Sequence, residues 1–278
     1  MVNRLGSAKK TRGKSPSTHK HKSYVPSMID NILEKADIIL EILDSRFIEK
    51  TRNLDVEKKV KDQGKMIIYV LNKSDLVDIN KLKQEVELED LKPHVFFSSK
   101  ERRGSKDLKK LLKMTAKRLK LEDVSIGIVG YPNTGKSSLI NFLTGRSSAR
   151  TSPEAGYTKG IQKIKLSKGF YLIDTPGIIP PLEKASINQE HLVKHSQIGA
   201  ITWDKTKNPD LVVSKLMEEY PEILEKYYGI KAKGDSDFLI EKLGKKFNYL
   251  KKGGFIDEER VAKQILKDWQ EGKINSQS

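Results

Sequence analysis

Short apolar runs alternate with amphipathic segments along most of the chain. Six runs rich in aliphatic and β-branched residues have the length of buried strands, and they lie at 38–43, 66–71, 95–97, 124–129, 161–166 and 171–173. Helical spacing of apolar positions is clearest in three intervening segments, at 53–63, 82–91 and 108–119. Strands that alternate with helices predict an α/β fold, in which a mostly parallel sheet is covered by helices on both faces.

The pattern changes near residue 208. From residue 209 onward only helical spacing is found, at 211–220, 221–228, 237–247 and 257–272. We therefore predict an α/β domain over residues 25–208 and a C-terminal all-helical domain over residues 209–278. Residues 1–24 combine seven basic residues with no acidic ones, which predicts a disordered basic tail.

Composition narrows the class of protein. The chain of 278 residues contains no cysteine, which excludes a disulfide framework, a cysteine-ligated zinc site and a thiol nucleophile. Its longest apolar run has six residues, whereas a membrane-spanning helix needs about 20. No apolar segment typical of a secretory signal peptide is found at the N-terminus. These features predict a soluble, cytoplasmic protein without a membrane partner, and we expect a monomer.

The formal net charge of +16 is concentrated in two stretches. Residues 1–24 carry +7, and residues 100–120 carry ten basic against two acidic residues. Such clusters predict a polyanionic partner, and RNA is favoured because nothing apolar nearby would insert into a membrane. For residues 100–120 alone, a lysine-rich helix face that only keeps the protein in solution is an equally good interpretation.

The segment 130–137, Gly-Tyr-Pro-Asn-Thr-Gly-Lys-Ser, follows the fourth apolar run and precedes a helical segment. This sequence and context match a P-loop, whose backbone N–H groups surround the β-phosphate of a nucleotide. Lys136 is expected to neutralise β- and γ-phosphate oxygens, and the Ser137 hydroxyl is expected to bind Mg²⁺. The residues predicted to line the phosphates are Asn133, Thr134, Gly135, Lys136, Ser137 and Ser138.

Two further segments are predicted to act on the γ-phosphate. At the end of the last apolar run, in Asp-Thr-Pro-Gly, Asp174 can hold Mg²⁺ through water and the Gly177 N–H can contact the γ-phosphate. Thr158 lies in a polar stretch before this motif, and its hydroxyl can complete the Mg²⁺ coordination. We therefore expect Ser137, Thr158 and Asp174 at the metal. Lys136, Thr158 and Gly177 are the predicted catalytic residues.

The motif Asn-Lys-Ser-Asp at 72–75, after the second apolar run, is predicted to bind the base. The Asp75 carboxylate can accept hydrogen bonds from N1 and the 2-amino group of guanine, which adenine does not offer in that place. Asn72 can contact the N7/O6 edge, and the Lys73 stem can cover the face of the base. Residues that follow the third apolar run and can present a backbone N–H to O6 are Ser98, Ser99 and Lys100. The predicted ligand is therefore GTP or GDP.

The order of these motifs differs from that of ordinary Ras-like GTPases. Those proteins place the P-loop first and the base motifs last, whereas here the base motifs precede the P-loop. The chain is therefore predicted to contain a circularly permuted P-loop GTPase domain. Permutation leaves the sheet and its binding crevice unchanged when the original termini lie close together.

With this order the chain resembles the YlqF/YawG family of circularly permuted GTPases, over about residues 25–275. Asp44-Ser-Arg46 is similar to the family's Asp-Ala-Arg segment, and residues 251–273 resemble the family's helical domain. The resemblance implies GTP hydrolysis, binding to ribosomal RNA and a role in assembly of the large ribosomal subunit, whose precursor would be the partner. It also implies RNA contact by the helical domain. The N-terminal histidine motif of bacterial members has no clear counterpart.

Four residues bear on the chemistry. Ile178 stands where Ras-like enzymes have a water-orienting glutamine, so hydrolysis needs another group, and a low intrinsic rate stimulated by ribosomal particles is expected. Asn133 resembles a P-loop asparagine that binds K⁺ in potassium-activated relatives, which makes K⁺ a candidate cofactor. His191 and His195 lack the glutamate of a zinc helix, and we predict that they lie on a solvated helix face.

Two alternatives to a ribosome-assembly GTPase stay open. One is an RNA-binding chaperone for which GTP is a structural ligand. The other is a GTPase that serves tRNA modification, which the permuted motif order and the lack of a modification domain disfavour. Stimulation of GTP hydrolysis by ribosomal subunits would distinguish the assembly GTPase from the chaperone.

Overall fold

The structure is a computed structural model that describes residues 28–85, 88–145, 163–173 and 188–274. The predicted basic tail of residues 1–24 lies outside these ranges. Four residues singled out from the sequence also lie outside them, namely Thr158, Asp174, Gly177 and Ile178. Within the described ranges, no helix is both long enough and apolar enough to cross a membrane.

Six strands form one sheet. In chain order they are β1 Ile38–Asp44, β2 Met66–Asn72, β3 His94–Phe96, β4 Val124–Val129, β5 Lys163–Ser167 and β6 Phe170–Ile173. Their order across the sheet is β3-β2-β1-β4-β6-β5, and all neighbours are parallel except β5 and β6. Each strand overlaps a predicted apolar run, and the predicted mostly parallel sheet is confirmed.

The parallel register brings the predicted site residues to one edge. Asp44 at the end of β1 lies beside Asn72 at the end of β2, and β1 also pairs with β4. The carboxyl ends of β1 to β4 therefore lie at the same edge of the sheet. In open α/β sheets this edge forms the ligand-binding crevice.

The helices before residue 145 are α1 Met28–Lys35, α2 Ile48–Thr51, α3 Leu54–Asp62, α4 Ile79–Glu85, α5 Ser105–Leu119 and α6 Lys136–Thr144. The prediction of one helix over 82–91 was wrong. Helix α4 ends at Glu85, and a separate 3-10 turn covers Leu88–Leu91. Leu82 and Leu91 are buried in the same core, so two short elements produce the apolar spacing that suggested one helix.

The two faces of the sheet bury alternate residues of the same strand. On β1, Ile38, Leu40 and Ile42 belong to a core that includes residues of α5 and α6. Ile39 and Leu43 belong to the opposite core, with residues of α1 and α3. Because side chains alternate along a strand, a continuous apolar run supplies both cores at once.

A third core lies among the C-terminal helices, which are α7 Gln189–Gln197, α8 Pro209–Glu219, α9 Ile223–Tyr228, α10 Ser236–Phe247 and α11 Glu258–Gln270. Trp269 is buried there, and its indole N–H donates to the Gln197 carbonyl at 3.0 Å. Phe47 and Tyr131, from the α/β part, are buried in the same core. The predicted boundary at residue 209 thus passes through this core, and the division into domains stays a prediction.

Candidate functional site

The predicted P-loop connects β4 to α6 at the carboxyl edge of the sheet. Gly130 and Gly135 have φ angles of +147° and +98°, which favour glycine. A Cβ atom at Gly130 would lie 2.6 Å from the Ile42 carbonyl oxygen, and a Cβ atom at Gly135 would collide with the Asn72 amide. The loop therefore needs glycine at both positions to pack against β1 and β2.

Lys136 is a buried cation. Its side chain is at the start of α6, the residue is 6% exposed, and Nζ donates to the Tyr131 carbonyl of the loop. Within the described part of the chain, no carboxylate forms an ion pair with it. Burial, with a smaller contribution from the charge of Lys73, lowers the pKa of Lys136 to about 7. A buried lysine with no carboxylate partner among the described residues fits an anionic ligand such as a phosphate.

Asn72 joins the predicted base motif to the P-loop. Its Nδ2 donates to the Thr134 carbonyl at 2.7 Å, and the side chain is buried. The amide carries a second N–H, which is the group that the predicted contact to N7 requires. Lys73 follows with a φ of +60°, in the left-handed region, so the chain turns sharply at the end of β2.

Asp75 and Ser98 are held together. The Ser98 hydroxyl donates to Oδ1 of Asp75 at 2.6 Å and accepts the Glu101 N–H at 3.0 Å. This bond fixes one carboxylate oxygen of Asp75 and so restrains the orientation of its side chain. Ser99 Oγ is buried without a hydrogen-bond partner among the described residues, whereas Lys100 is exposed.

The structure brings the base motif, the loop at 98–100 and the P-loop together at the carboxyl edge of the sheet. The half-buried side chains of Ser137 and Ser138 lie at the start of α6, beyond Gly135. Of the three predicted Mg²⁺ ligands only Ser137 is described, and the described ranges contain no cluster of three or more His, Cys, Asp or Glu residues that could hold a metal. The metal site stays a prediction.

Asp44 is a charged residue at this edge to which sequence reasoning gave no role beyond the family resemblance. It is fully buried, and its Oδ2 lies 2.8 Å from both Arg46 Nη2 and Lys73 Nζ. Burial raises the pKa of Asp44, but the two cations outweigh this effect and hold the pKa well below its ordinary value. The sequence feature that could have indicated Asp44 is its position as an aspartate directly after the apolar run 38–43.

The P-loop also contacts the helical part. Asn133 Nδ2 donates to the Gly199 carbonyl at 2.7 Å, and Tyr131 is buried in the third core. The prediction of a solvated face for the two histidines was wrong for His195, which is 4% exposed with its ring centroid 6.0 Å from that of Tyr131. The His191 ring stacks on His195. Docking of α7 against the P-loop buries this face.

Comparison with known proteins agrees with this geometry. Residues 125–231 match the model of a family described as 50S ribosome-binding GTPase. The chain is similar to the GNP-bound crystal structure of YlqF from T. maritima, with 26% identity and a TM-score of 0.60 over 89% of this chain and 94% of that chain. The GDP-bound structure gives 25% identity and a TM-score of 0.62, with 90% and 96% coverage.

Curated relatives extend beyond the part that this chain matches. The uncharacterized GTP-binding protein MJ1464 of Methanocaldococcus jannaschii is 40% identical over 90% of this chain and 66% of that protein. Nucleolar GTP-binding protein 2 of Saccharomyces cerevisiae is 35% identical over 87% of this chain and 50% of that protein. The chain thus spans from half to about two thirds of the length of these relatives.

The sheet order, the P-loop after β4 and the base motif after β2 define a P-loop GTP-binding protein with a permuted motif order. The chain belongs to the YlqF family of circularly permuted GTP-binding proteins.

Proposed function

We propose that this protein is a GTPase of low intrinsic rate that binds ribosomal RNA and acts in assembly of the large ribosomal subunit, as a cytoplasmic monomer. The observation that carries the proposal is the bond from Asn72 Nδ2 to the Thr134 carbonyl, which joins the motif that contains Asp75, the proposed guanine-binding residue, to the P-loop that contains the buried Lys136. The names of the relatives, 50S ribosome-binding and nucleolar, support the ribosomal part.

The proposed roles divide between base and phosphates. Asp75 selects guanine, while Asn72, Lys73 and the loop at 98–100 complete the base pocket. Residues of the P-loop surround the phosphates, where Lys136 offsets charge that develops on the β- and γ-phosphate oxygens. Mg²⁺, when bound, offsets charge on the same oxygens. Its proposed ligands are Ser137, Thr158 and Asp174, and the proposed γ-phosphate contacts are Thr158 and Gly177.

A low intrinsic rate follows from the residue after Gly177. Ile178 cannot orient the attacking water, so the unassisted protein lacks the glutamine that performs this step in Ras-like enzymes. A group supplied or ordered by a ribosomal particle would restore it, which is why we expect stimulation by large subunits.

Helix α5 offers a basic surface for RNA. Its apolar side packs on the sheet through Leu108 and Leu112, and its outer side is cationic. The exposed cations are Lys106, Lys109, Lys110, Lys113, Lys117 and Arg118. None of them forms an ion pair with a carboxylate of the described residues, so their charge is available to phosphates.

A tight loop between α10 and α11 offers a second RNA contact. The Lys251 N–H donates to the Phe255 carbonyl at 2.8 Å, and residues Leu250 and Ile256 form a β-bridge that closes the loop. Phe255 is 74% exposed, next to Lys251 and Lys252. An exposed aromatic ring beside lysines suits stacking on an unpaired base.

We expect substitutions on α5 and in the loop that carries Phe255 to reduce RNA affinity in different ways. Lys109→Ala with Lys113→Ala should weaken binding to ribosomal RNA and flatten the slope of log affinity against log salt by about one for each phosphate that is no longer neutralised. Phe255→Ala should weaken binding roughly 5- to 100-fold with an unchanged slope, because base stacking releases no counterions. Filter binding at several salt concentrations measures both. The matched control is Lys58→Ala with Lys61→Ala, which replaces two exposed lysines of α3. An equal reduction of RNA affinity in this control would contradict the assignment of these surfaces to RNA.

The pKa of Lys136 predicts a pH-dependent affinity for GDP. In the nucleotide-free protein this lysine loses its proton above about pH 7, whereas phosphate contact requires the charged form. Binding above pH 7 must therefore take up a proton, and the Kd should rise by up to about tenfold per pH unit between pH 7 and 9. Calorimetry in two buffers of different ionisation enthalpy should detect uptake of about one proton at pH 8. A Kd that is constant over this range would contradict the prediction.

The K⁺ prediction concerns Asn133. Its side-chain Nδ2 donates to the Gly199 carbonyl, and its side-chain Oδ1 is the candidate K⁺ ligand. Replacing K⁺ by Na⁺ should slow single-turnover GTP hydrolysis if Asn133 holds the ion. Equal rates in the two cations would remove K⁺ from the mechanism.

The overall proposal is tested by single-turnover GTP hydrolysis with and without large ribosomal subunits, together with co-sedimentation in GDP and in a non-hydrolysable GTP analogue. We expect stimulation by the large subunit and tighter co-sedimentation with the analogue. Small ribosomal subunits are the control particle. Binding without any stimulation would favour the RNA chaperone for which GTP is a structural ligand.

A further inference from the structure

The end of helix α11 is bonded to the base motif through buried charges. Arg46 Nη1 donates to the Trp269 carbonyl at 3.0 Å and to the Gln270 carbonyl at 3.4 Å, which are among the last carbonyls of α11. The same guanidinium donates to both Asp44 oxygens, through Nε at 3.0 Å and Nη2 at 2.8 Å. Asp44 in turn pairs with Lys73 of the base motif at 2.8 Å.

These contacts require the several N–H groups of an arginine side chain. One guanidinium satisfies a buried carboxylate and the carbonyls at a helix end, where a positive charge is also favoured by the helix dipole. The Arg46 side chain is 3% exposed, so water cannot replace these bonds. Displacement of α11 would therefore break the Arg46 bonds to its carbonyls and would redistribute the bonds of Asp44 and Lys73.

A second contact involves the residue that follows the base motif. Leu76 directly follows Asp75, and it packs against Gly272 just beyond α11. A Cβ atom at Gly272 would lie 2.6 Å from Leu76 Cδ1. The turn that carries Asp75 thus lies between β2 and the end of α11, so its position depends on where that helix end sits.

We propose that Asp44 and Arg46 are positioning residues of the guanine-base site, through which the docked end of α11 strengthens guanine recognition. The inference rests on the proposed assignment of residues 72–75 to the base. By reciprocity, a bound guanine nucleotide stabilises the docking of α11 by the same factor. The helical part would then respond to occupancy of the base pocket, separately from any contact to the γ-phosphate.

The first test uses Arg46→Lys, which keeps a positive charge for Asp44. A single ammonium group cannot reach both carboxylate oxygens and the α11 carbonyls, so the affinity for GDP should fall by about tenfold. Inosine diphosphate lacks the 2-amino group that Asp75 is proposed to read, so its affinity should fall less. The GDP-to-inosine diphosphate preference therefore reports the position of the base motif, whereas a purely structural defect would weaken both ligands equally.

The second test perturbs the contact between Gly272 and Leu76. Gly272→Ala adds a methyl group against Leu76, and it should also reduce the preference for GDP over inosine diphosphate. Gly229→Ala is the matched control, because Gly229 has a similar φ of +67°, against +75° for Gly272, and nothing lies within 4 Å of its added Cβ atom. This control carries the same backbone strain in the same helical part, and its preference should equal that of the parent protein.

Hydrogen exchange gives the reciprocal readout. GDP should slow exchange of the last-turn amides of α11 in the parent protein and in Gly229→Ala, and it should do so less in Arg46→Lys. If both Arg46→Lys and Gly272→Ala fold and keep the parental preference, the proposed coupling is wrong. If the parent itself does not prefer GDP over inosine diphosphate, the assignment of the base site fails instead.

Discussion

Asp75→Asn is expected to weaken GDP binding by about a hundredfold or more, because the carboxylate charge is removed and an amide N–H replaces one acceptor oxygen and faces the guanine donors. The same variant should gain affinity for xanthosine diphosphate, whose keto oxygen replaces the 2-amino group and accepts from the new amide. Ser98 can still donate to the remaining Oδ1, so the loop at 98–101 should keep its position. Competition between the two nucleotides for the protein measures the shift.

Asp90→Asn provides the control for this change of carboxylate to amide. Asp90 is exposed in the 3-10 turn Leu88–Leu91, which precedes the P-loop in the chain as Asp75 does. Its substitution should leave the affinities for GDP and for xanthosine diphosphate unchanged. A parent protein that binds ADP as tightly as GDP would contradict the role of Asp75 before any variant is made.

The local motifs were predictable because their chemistry is contiguous in the chain. The P-loop is recognised from eight consecutive residues that follow a strand and lead into a helix. The structure shows why Gly130 and Gly135 are needed there. The base motif is recognised from four residues that begin at the last residue of β2. Parallel strands end at one edge, so the meeting of these motifs followed from the predicted sheet.

Contacts between distant segments were not predictable from periodicity. Arg46 and Trp269 are 223 positions apart, and no local pattern indicates that a guanidinium will close the end of α11. His195 was misplaced for the same reason, since its burial depends on docking of α7 against Tyr131. Spacing identifies the apolar face of a helix, but not a partner surface that arrives from another part of the chain.

The helical part contacts both halves of the candidate nucleotide site. Gly199 accepts from Asn133 of the P-loop, and the end of α11 accepts from Arg46 behind the base motif. In the permuted order these helices follow the predicted γ-phosphate motif at 174–177 in the chain. The P-loop and the base motif are therefore each in direct contact with the helical part.

Lys136→Ala is expected to reduce single-turnover GTP hydrolysis by at least about a hundredfold, because the charge that offsets the transition state is removed. Lys61→Ala, exposed on α3, should hydrolyse GTP at the parental rate.

A folding control for Lys136→Ala follows from the buried charge. Because burial lowers the pKa of Lys136 to about 7, the unfolded chain binds more protons than the folded chain between pH 7 and the ordinary lysine pKa. The free energy of unfolding of the nucleotide-free parent should therefore gain a contribution as pH rises above 7, and Lys136→Ala should lack it. No ion pair with a described carboxylate is broken by the substitution, so we expect the variant to remain folded at pH 7, with a smaller rise in Tm on addition of GDP than the parent shows. Parental hydrolysis by a folded Lys136→Ala protein would show that residues 130–137 are not the active site.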